Sequence, residues 1–227
     1  MKNNIVFDFD GTLARTTPYH RLGWELAIQE LNINKDLDHV LSYVPNLTER
    51  FDSYNRIKTG FLGDMEIKSK VSAYFGEDRD ALLAKKLVDL KESLTINAIF
   101  QENVAQTLNN LGVNLLSSLN ALKSIGMSIG IISSTREPII CSFLHKCGIL
   151  ETFDFIIGEE SLTSDNGTLF DKPNPYVKKV LDKMDQKMSH YIGDNEIIDK
   201  EFAEACEAEF IYADYKTNFL DILNKLS

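Results

Sequence analysis

Apolar and polar positions alternate in two different ways along the chain. Near the start, Ile5, Val6 and Phe7 run into Asp8, Phe9 and Asp10, and Gly11 follows. That pattern predicts a short buried strand over residues 4–9 closed by a turn. From about 17 to 111 the apolar residues recur at helical spacing instead. Leu22, Trp24, Ala27, Ile28 and Leu31 fall near one helical face, as do Leu82, Leu83, Leu87, Leu90 and Leu94. A further helix is expected between Gly63 and Gly76.

Beyond Gly112 the pattern becomes an alternation of helix and strand. "VNLLSSLNALKSIG" is amphipathic with Gly126 as a stop, and "MSIGIIS" is an apolar strand reaching Ser133. A helix over roughly 137–147 leads to the apolar run "FDFIIG". Next come a proline-punctuated helix start in "DKPNPYVKKVLDKM", a strand at "HYIG", a helix near 198–208 and the strand "EFIYA". Four such units in succession predict an α/β fold, a doubly wound parallel sheet with helices on both faces. Residues 1–15 and 112–227 form that core, and residues 16–111 form an all-helical insertion too long for a loop.

Composition narrows the class of partner. Of 227 residues, 44% are hydrophobic, enough for a sizeable core, and 24 Lys plus Arg face 34 Asp plus Glu, a net charge of −10. An acidic chain is a poor match for nucleic acid or an anionic membrane, and it can bind a small anion only through a local cation. Three cysteines without metal-ligand spacing read as reduced, buried thiols of a cytoplasmic protein. Neither a membrane-length apolar run nor a signal-peptide core is evident.

Ligands of open α/β sheets gather at the carboxyl ends of the strands. Asp8, Asp10, Ser133, Lys172, Asp194 and Asp199 all stand at or just past such ends. Residues two apart on a strand share a face, so Asp8 and Asp10 would point together if the strand continued. Two such acids repel each other unless a cation offsets them, and a hard divalent ion prefers oxygen ligands. Alternatively, both acids serve as turn formers or helix caps. Lys172, between the acids and a helix entry stiffened by Pro173 and Pro175, could neutralise a bound anion. Ser133, with the N–H groups of the turn after it, could cradle that anion or simply end its strand.

"DFDGTL" at 8–13, Ser133 closing "IGIIS", Lys172 in "DKPNP" and "GDNEIID" at 193–199 resemble, in order and spacing, the four motifs of the haloacid dehalogenase superfamily. The resemblance brackets the whole chain. It implies a Rossmann-like core carrying a helical cap between the first two motifs. It further implies that Asp8 is a nucleophile forming an aspartyl-phosphate and that Asp10 is the general acid and base. Mg²⁺ would be held by Asp8, the backbone carbonyl of Asp10 and Asp194, with Asp199 direct or water-mediated. Ser133 and Lys172 would hold the phosphoryl group, and Gly11, Thr12, Ser134, Arg136 and His20 are candidate substrate contacts.

An acid at position 10 suits a phosphatase or phosphomutase. Superfamily members that cleave carbon–halogen bonds lack it, and the transport ATPases carry Thr there. "TPYHRLGWELAIQEL" is similar to the first cap segment of the β-phosphoglucomutase-like branch, in which His20 could reach the pocket or pack beside Trp24. Arg15 departs from the Asp usual in that branch. Arg136 either touches substrate or begins the next helix. The expected function is a Mg²⁺-dependent phosphatase acting on a small phosphorylated metabolite as a monomer or weak homodimer. The alternatives are a phosphomutase and a non-catalytic phosphate-binding module.

Overall fold

The computed structural model describes residues 2–31, 80–101, 115–162, 172, 174, 176–214, 217 and 219–226. The helix expected between Gly63 and Gly76, the Gly112-Val113 lead-in, Pro173 and Pro175 lie outside them, as do the side chains of Leu82, Leu83 and Leu87. The chain divides into two compact units, residues 1–15 with 103–227, and residues 16–102.

The first unit is built on a parallel sheet of five strands. These are β1 (Lys2–Phe7), β2 (Ser128–Ile132), β3 (Phe155–Ile157), β4 (Gln186–Gly193) and β5 (Glu209–Tyr212), in the order β3-β2-β1-β4-β5. Ile5, Val6 and Phe7 are all fully buried. Because neighbours on a strand face opposite ways, the central strand is covered on both faces, which is why its sequence is continuously apolar. The chain steps outward from β1 to β2 and β3, then returns to the other side of β1 for β4. The C-terminal ends of β1 and β4 therefore flank the topological switch point, where an open sheet leaves a crevice.

After α1 (Thr17–Glu30) and α2 (Asp80–Gln101) of the second unit, four helices of this unit follow the expected alternation, and a fifth, Phe219–Leu226, lies beyond the last element that the pattern predicts. They are α3 (Leu115–Ser124), α4 (Glu137–Lys146), α5 (Tyr176–Lys183), α6 (Ile198–Ala205) and α7 (Phe219–Leu226). One core cluster joins Val6, Ile132 and Tyr191 of the sheet to Val177 and Leu181 of α5 and Phe202 of α6. Phe9, in the turn after β1, packs edge-on against Phe143 of α4, with ring centroids 5.4 Å apart. Helix α6 is shorter than expected, since Glu207 adopts a positive φ of 59° just past its end. Burial pushes the Cys206 thiol and the half-buried Cys147 thiol up to about 12, and Cys141 is also only half-buried, so two of the three cysteines are less buried than expected.

In the second unit, α1 (Thr17–Glu30) packs against α2 (Asp80–Gln101). Their buried faces differ from the expected ones. On α1, Tyr19, His20, Trp24, Ala27 and Ile28 are buried while Leu22 is exposed. On α2, Lys91, Thr95, Ala98 and Ile99 are buried while Leu90 and Leu94 are only half-buried. The reason is a close crossing at Gly23, where an added Cβ would lie 2.2 Å from Thr95 Oγ1 and 2.9 Å from the Lys91 carbonyl. Backbones that approach so closely select short or amphipathic side chains over leucines at the seam. The Lys91 stem passes there with its ammonium 5.3 Å from the Trp24 ring centroid.

Candidate active site

Strand β1 ends at Phe7, one residue before the first acid. The Asp8 N–H still donates to Ile192 of β4 at 2.8 Å, but Leu13 and Ala14 then both donate to the Phe9 carbonyl at 3.0 Å, turning the chain. The strand does not continue through Asp8 and Asp10, so strand alternation does not set their directions, yet Asp10 lies close enough to Asp8 to push its carboxyl up. Asp8 joins a cluster at the β1–β4 switch point. Asp10 Oδ2 accepts a hydrogen bond from the hydroxyl of Thr135, two residues past Ser133.

The cluster is organised around Lys172. Its ammonium lies 3.0 Å from Asp8 Oδ1 and 2.7 Å from Asp199 Oδ1, and it donates to the Tyr191 hydroxyl at 2.9 Å. Tyr191 in turn donates to the Ile132 carbonyl at 2.9 Å. Asp199 Oδ2 accepts from the Asn195 N–H at 3.0 Å, and the Asn195 side-chain oxygen accepts from Ile197 and Ile198 N–H, both at 3.1 Å, capping α6. Asp8 is only 2% exposed. Burial pushes its carboxyl well above the usual range, Lys172 pulls it back, and Asp199, Asp194 and Asp10 push it up again. For Lys172, burial works against the charge, but Asp199 and Asp8 outweigh it and hold the ammonium well above its ordinary value. Burial likewise keeps the Tyr191 hydroxyl protonated.

Carboxylate oxygens of Asp8, Asp194 and Asp199 lie within 4.8 Å of one another. Two glycines make the crowding possible. Gly11 has φ +81°, and a Cβ there would lie 2.4 Å from Asp194 Oδ2; a Cβ on Gly193 would lie 2.3 Å from Asp199 Oδ2. Thr12 Oγ1 is buried without a hydrogen-bond partner among the described residues. An all-oxygen donor set and an excess of buried negative charge fit a hard divalent cation.

Residues 36–213 match the family of haloacid dehalogenase-like hydrolases. The chain belongs to that family. The matched stretch begins beyond β1 and leaves Asp8 and Asp10 outside it; in the sheet, β1 pairs with β4 inside it. A phosphoglycolate phosphatase of Salmonella choleraesuis is 22% identical over 200 residues, covering 84% of this chain and 73% of the relative. The fold is shared with Rhodobacter sphaeroides CbbY, solved in complex with phosphate (TM-score 0.64, 16% identity, 95% of this chain and 88% of that one). It is also shared with the Bacillus subtilis HAD-hydrolase YfnB, solved bound to magnesium (TM-score 0.60, 15% identity, 98% of each chain). This haloacid dehalogenase-like protein is thus an enzyme, a hydrolase, and the curated relatives it matches are phosphatases.

Of the residues singled out in the hydrolase sequence, Asp8, Lys172, Asp194 and Asp199 come together. Ser133 is buried at the end of β2, and its Oγ accepts from the Thr135 N–H at 3.3 Å. Ser134 is half-buried in the same turn. Arg136 begins α4 as its N-terminal flanking residue and pairs with Glu160 at 2.7 Å. His20 is buried on α1 within the second unit, and Arg15 is exposed. Two residues escaped the sequence reading, Thr135 and Tyr191. Their signals were present: a third hydroxyl after Ser133 and Ser134, and a Tyr within a fully buried apolar strand, where its O–H must find a partner.

Proposed function

We propose that this hydrolase is a Mg²⁺-dependent phosphatase that cleaves a small phosphomonoester through an aspartyl-phosphate on Asp8. The observation that carries the proposal is a buried Asp8 fixed by Lys172 beside Asp194 and Asp199 at the switch point. Asp8 attacks phosphorus as the ester oxygen leaves, and Asp10 gives that oxygen its proton. Asp10 then takes a proton from water, which attacks the phosphoaspartate, releasing phosphate and restoring Asp8. Ser133 binds a phosphoryl oxygen, while Lys172 offsets the charge on Asp8 throughout.

Asp8, the Asp10 carbonyl and Asp194 would hold Mg²⁺, with Asp199, both of whose oxygens already accept N–H groups, behind them. When bound, the cation supplies charge neutralisation at the transferring phosphoryl group. The unit of residues 16–102 serves as the cap that selects the substrate, with His20 and Arg136 as candidate contacts. The enzyme works in the cytoplasm as a monomer or weak homodimer. Small phosphorylated acids of the phosphoglycolate kind are the first substrates to try, because the relatives are phosphoglycolate phosphatases.

Phosphate release from a panel of small phosphomonoesters, with Mg²⁺ and with EDTA, tests this. Release is expected only with Mg²⁺, and release that persists in EDTA would contradict it. Turnover that requires a bisphosphate primer and returns the group to a sugar would make the protein a mutase instead.

A further inference from the structure

The Lys172 ammonium donates to Asp199 Oδ1 at 2.7 Å and to the Tyr191 hydroxyl at 2.9 Å, and it pairs with Asp8 Oδ1 at 3.0 Å. Two of these partners are carboxylates, and the third is a neutral hydroxyl on β4. That hydroxyl has a single proton, which goes to the Ile132 carbonyl, so its lone pairs are left to face Lys172. Ile132 is the last residue of β2, directly before Ser133. The Tyr191 ring is clamped in the core edge-on to Phe202, centroids 5.0 Å apart, and Tyr191 is fully buried. A rigid ring thus delivers a polar tip at one fixed height above the sheet.

We propose that Tyr191 is a positioning residue for Lys172. Its hydroxyl accepts an N–H from the ammonium and gives its own proton to the Ile132 carbonyl, so the cation is held between Asp8 and Asp199 and tied to the strand end carrying Ser133. Without this acceptor, Lys172 keeps its charge but loses a fixed direction, and its flexible stem can swing to either acid. The activity expected of a variant rests on the phosphatase reading; the hydrogen-bond coupling does not.

Tyr191→Phe removes only the oxygen and keeps the ring. With Mg²⁺ and the best ester of the panel, kcat should fall about 10- to 100-fold, the range for a hydrogen bond to a charged group, while KM changes by less than about threefold. The same substitution is then made in a Lys172→Met background, and both pairs are unfolded with urea in EDTA. If the hydroxyl acts on Lys172, the midpoint loss caused by Tyr191→Phe should shrink to about half or less once the lysine is gone. Lys172→Gln replaces Lys172→Met if the latter does not fold. Equal midpoint losses in both backgrounds would overturn the proposal even if kcat falls, since they mean the hydroxyl serves Ile132 alone. An unchanged kcat in an active parent enzyme would overturn it too. Should the parent release no phosphate from any ester, the phosphatase reading fails, and the urea cycle still decides the role of Tyr191.

Discussion

Two aspartates at opposite ends of the same sheet are treated in opposite ways. Asp154, at the N-terminal edge, accepts from the Ser128 hydroxyl at 3.0 Å and the Ile129 N–H at 2.8 Å, and it pairs with Lys123 at 3.0 Å. Its partial burial alone would raise its pKa, but these donors win and hold it below the usual carboxylate value. Asp8, at the C-terminal edge, is more deeply buried, has three acids for neighbours and is pushed up. A carboxylate that serves the fold is surrounded by donors until its charge is satisfied. Asp8 is left short of donors, as suits the nucleophile and cation ligand proposed for it.

The sharpest way to break this contrast is to neutralise the under-satisfied acid. Asp8→Asn should lower phosphate release about a thousandfold or more while far-ultraviolet circular dichroism stays unchanged. Cation binding comes next. A divalent ion binds the ionised form of Asp8, whose pKa is raised in the metal-free protein, so binding should release protons and tighten as pH rises. Calorimetry in two buffers of different ionisation enthalpy reads that release, and proton uptake would contradict it. Asp199→Asn should weaken Mg²⁺ about 10- to 100-fold, as loss of a supporting partner does.

A smaller effect is expected where the acids are packed together. Gly11→Ala forces a side chain into a left-handed conformation and against Asp194, and should cost about 1–2 kcal/mol by urea denaturation as well as Mg²⁺ affinity. The smallest effect belongs to the satisfied acid. Asp154→Ala should cost about 1 kcal/mol, discounted for a side chain that is about a third exposed, and leave kcat unchanged. Because the folded pKa of Asp154 is depressed, its contribution is complete above its ordinary value of 3.8 and fades as pH falls through the lower folded value. A wild-type minus Asp154→Ala stability difference that is as large at pH 2 as at pH 7 would contradict that.

The contrast also separates what the sequence made legible from what it did not. β1, the sheet ends and the acids at 8, 194 and 199 could be read because a buried strand is continuously apolar and ends abruptly in charge. The point where β1 stops could not, because whether a strand outlasts its apolar run by two residues depends on the hydrogen bonds that Leu13 and Ala14 return to Phe9. Leu22 and Leu90 were misplaced on their helices because Gly23 sets a crossing that periodicity alone does not contain. Tyr191 looked like one more apolar strand residue, since only the tertiary fold brings its oxygen to Lys172. Strand β4 is also longer than "HYIG": its polar start pairs with Lys2 and Asn3 of β1, and no hydrophobic signal marks it.

The central claim, that the under-satisfied Asp8 is the nucleophile, is tested most directly by trapping its product. The enzyme is mixed with its best phosphomonoester and Mg²⁺, quenched in acid within one turnover, digested and examined by mass spectrometry. The account predicts a phosphoryl group on the peptide carrying Asp8, removed by hydroxylamine and missing from Asp8→Asn. A protein that releases phosphate at the normal rate with no adduct on that peptide under any quench time, or with an adduct elsewhere, would contradict it.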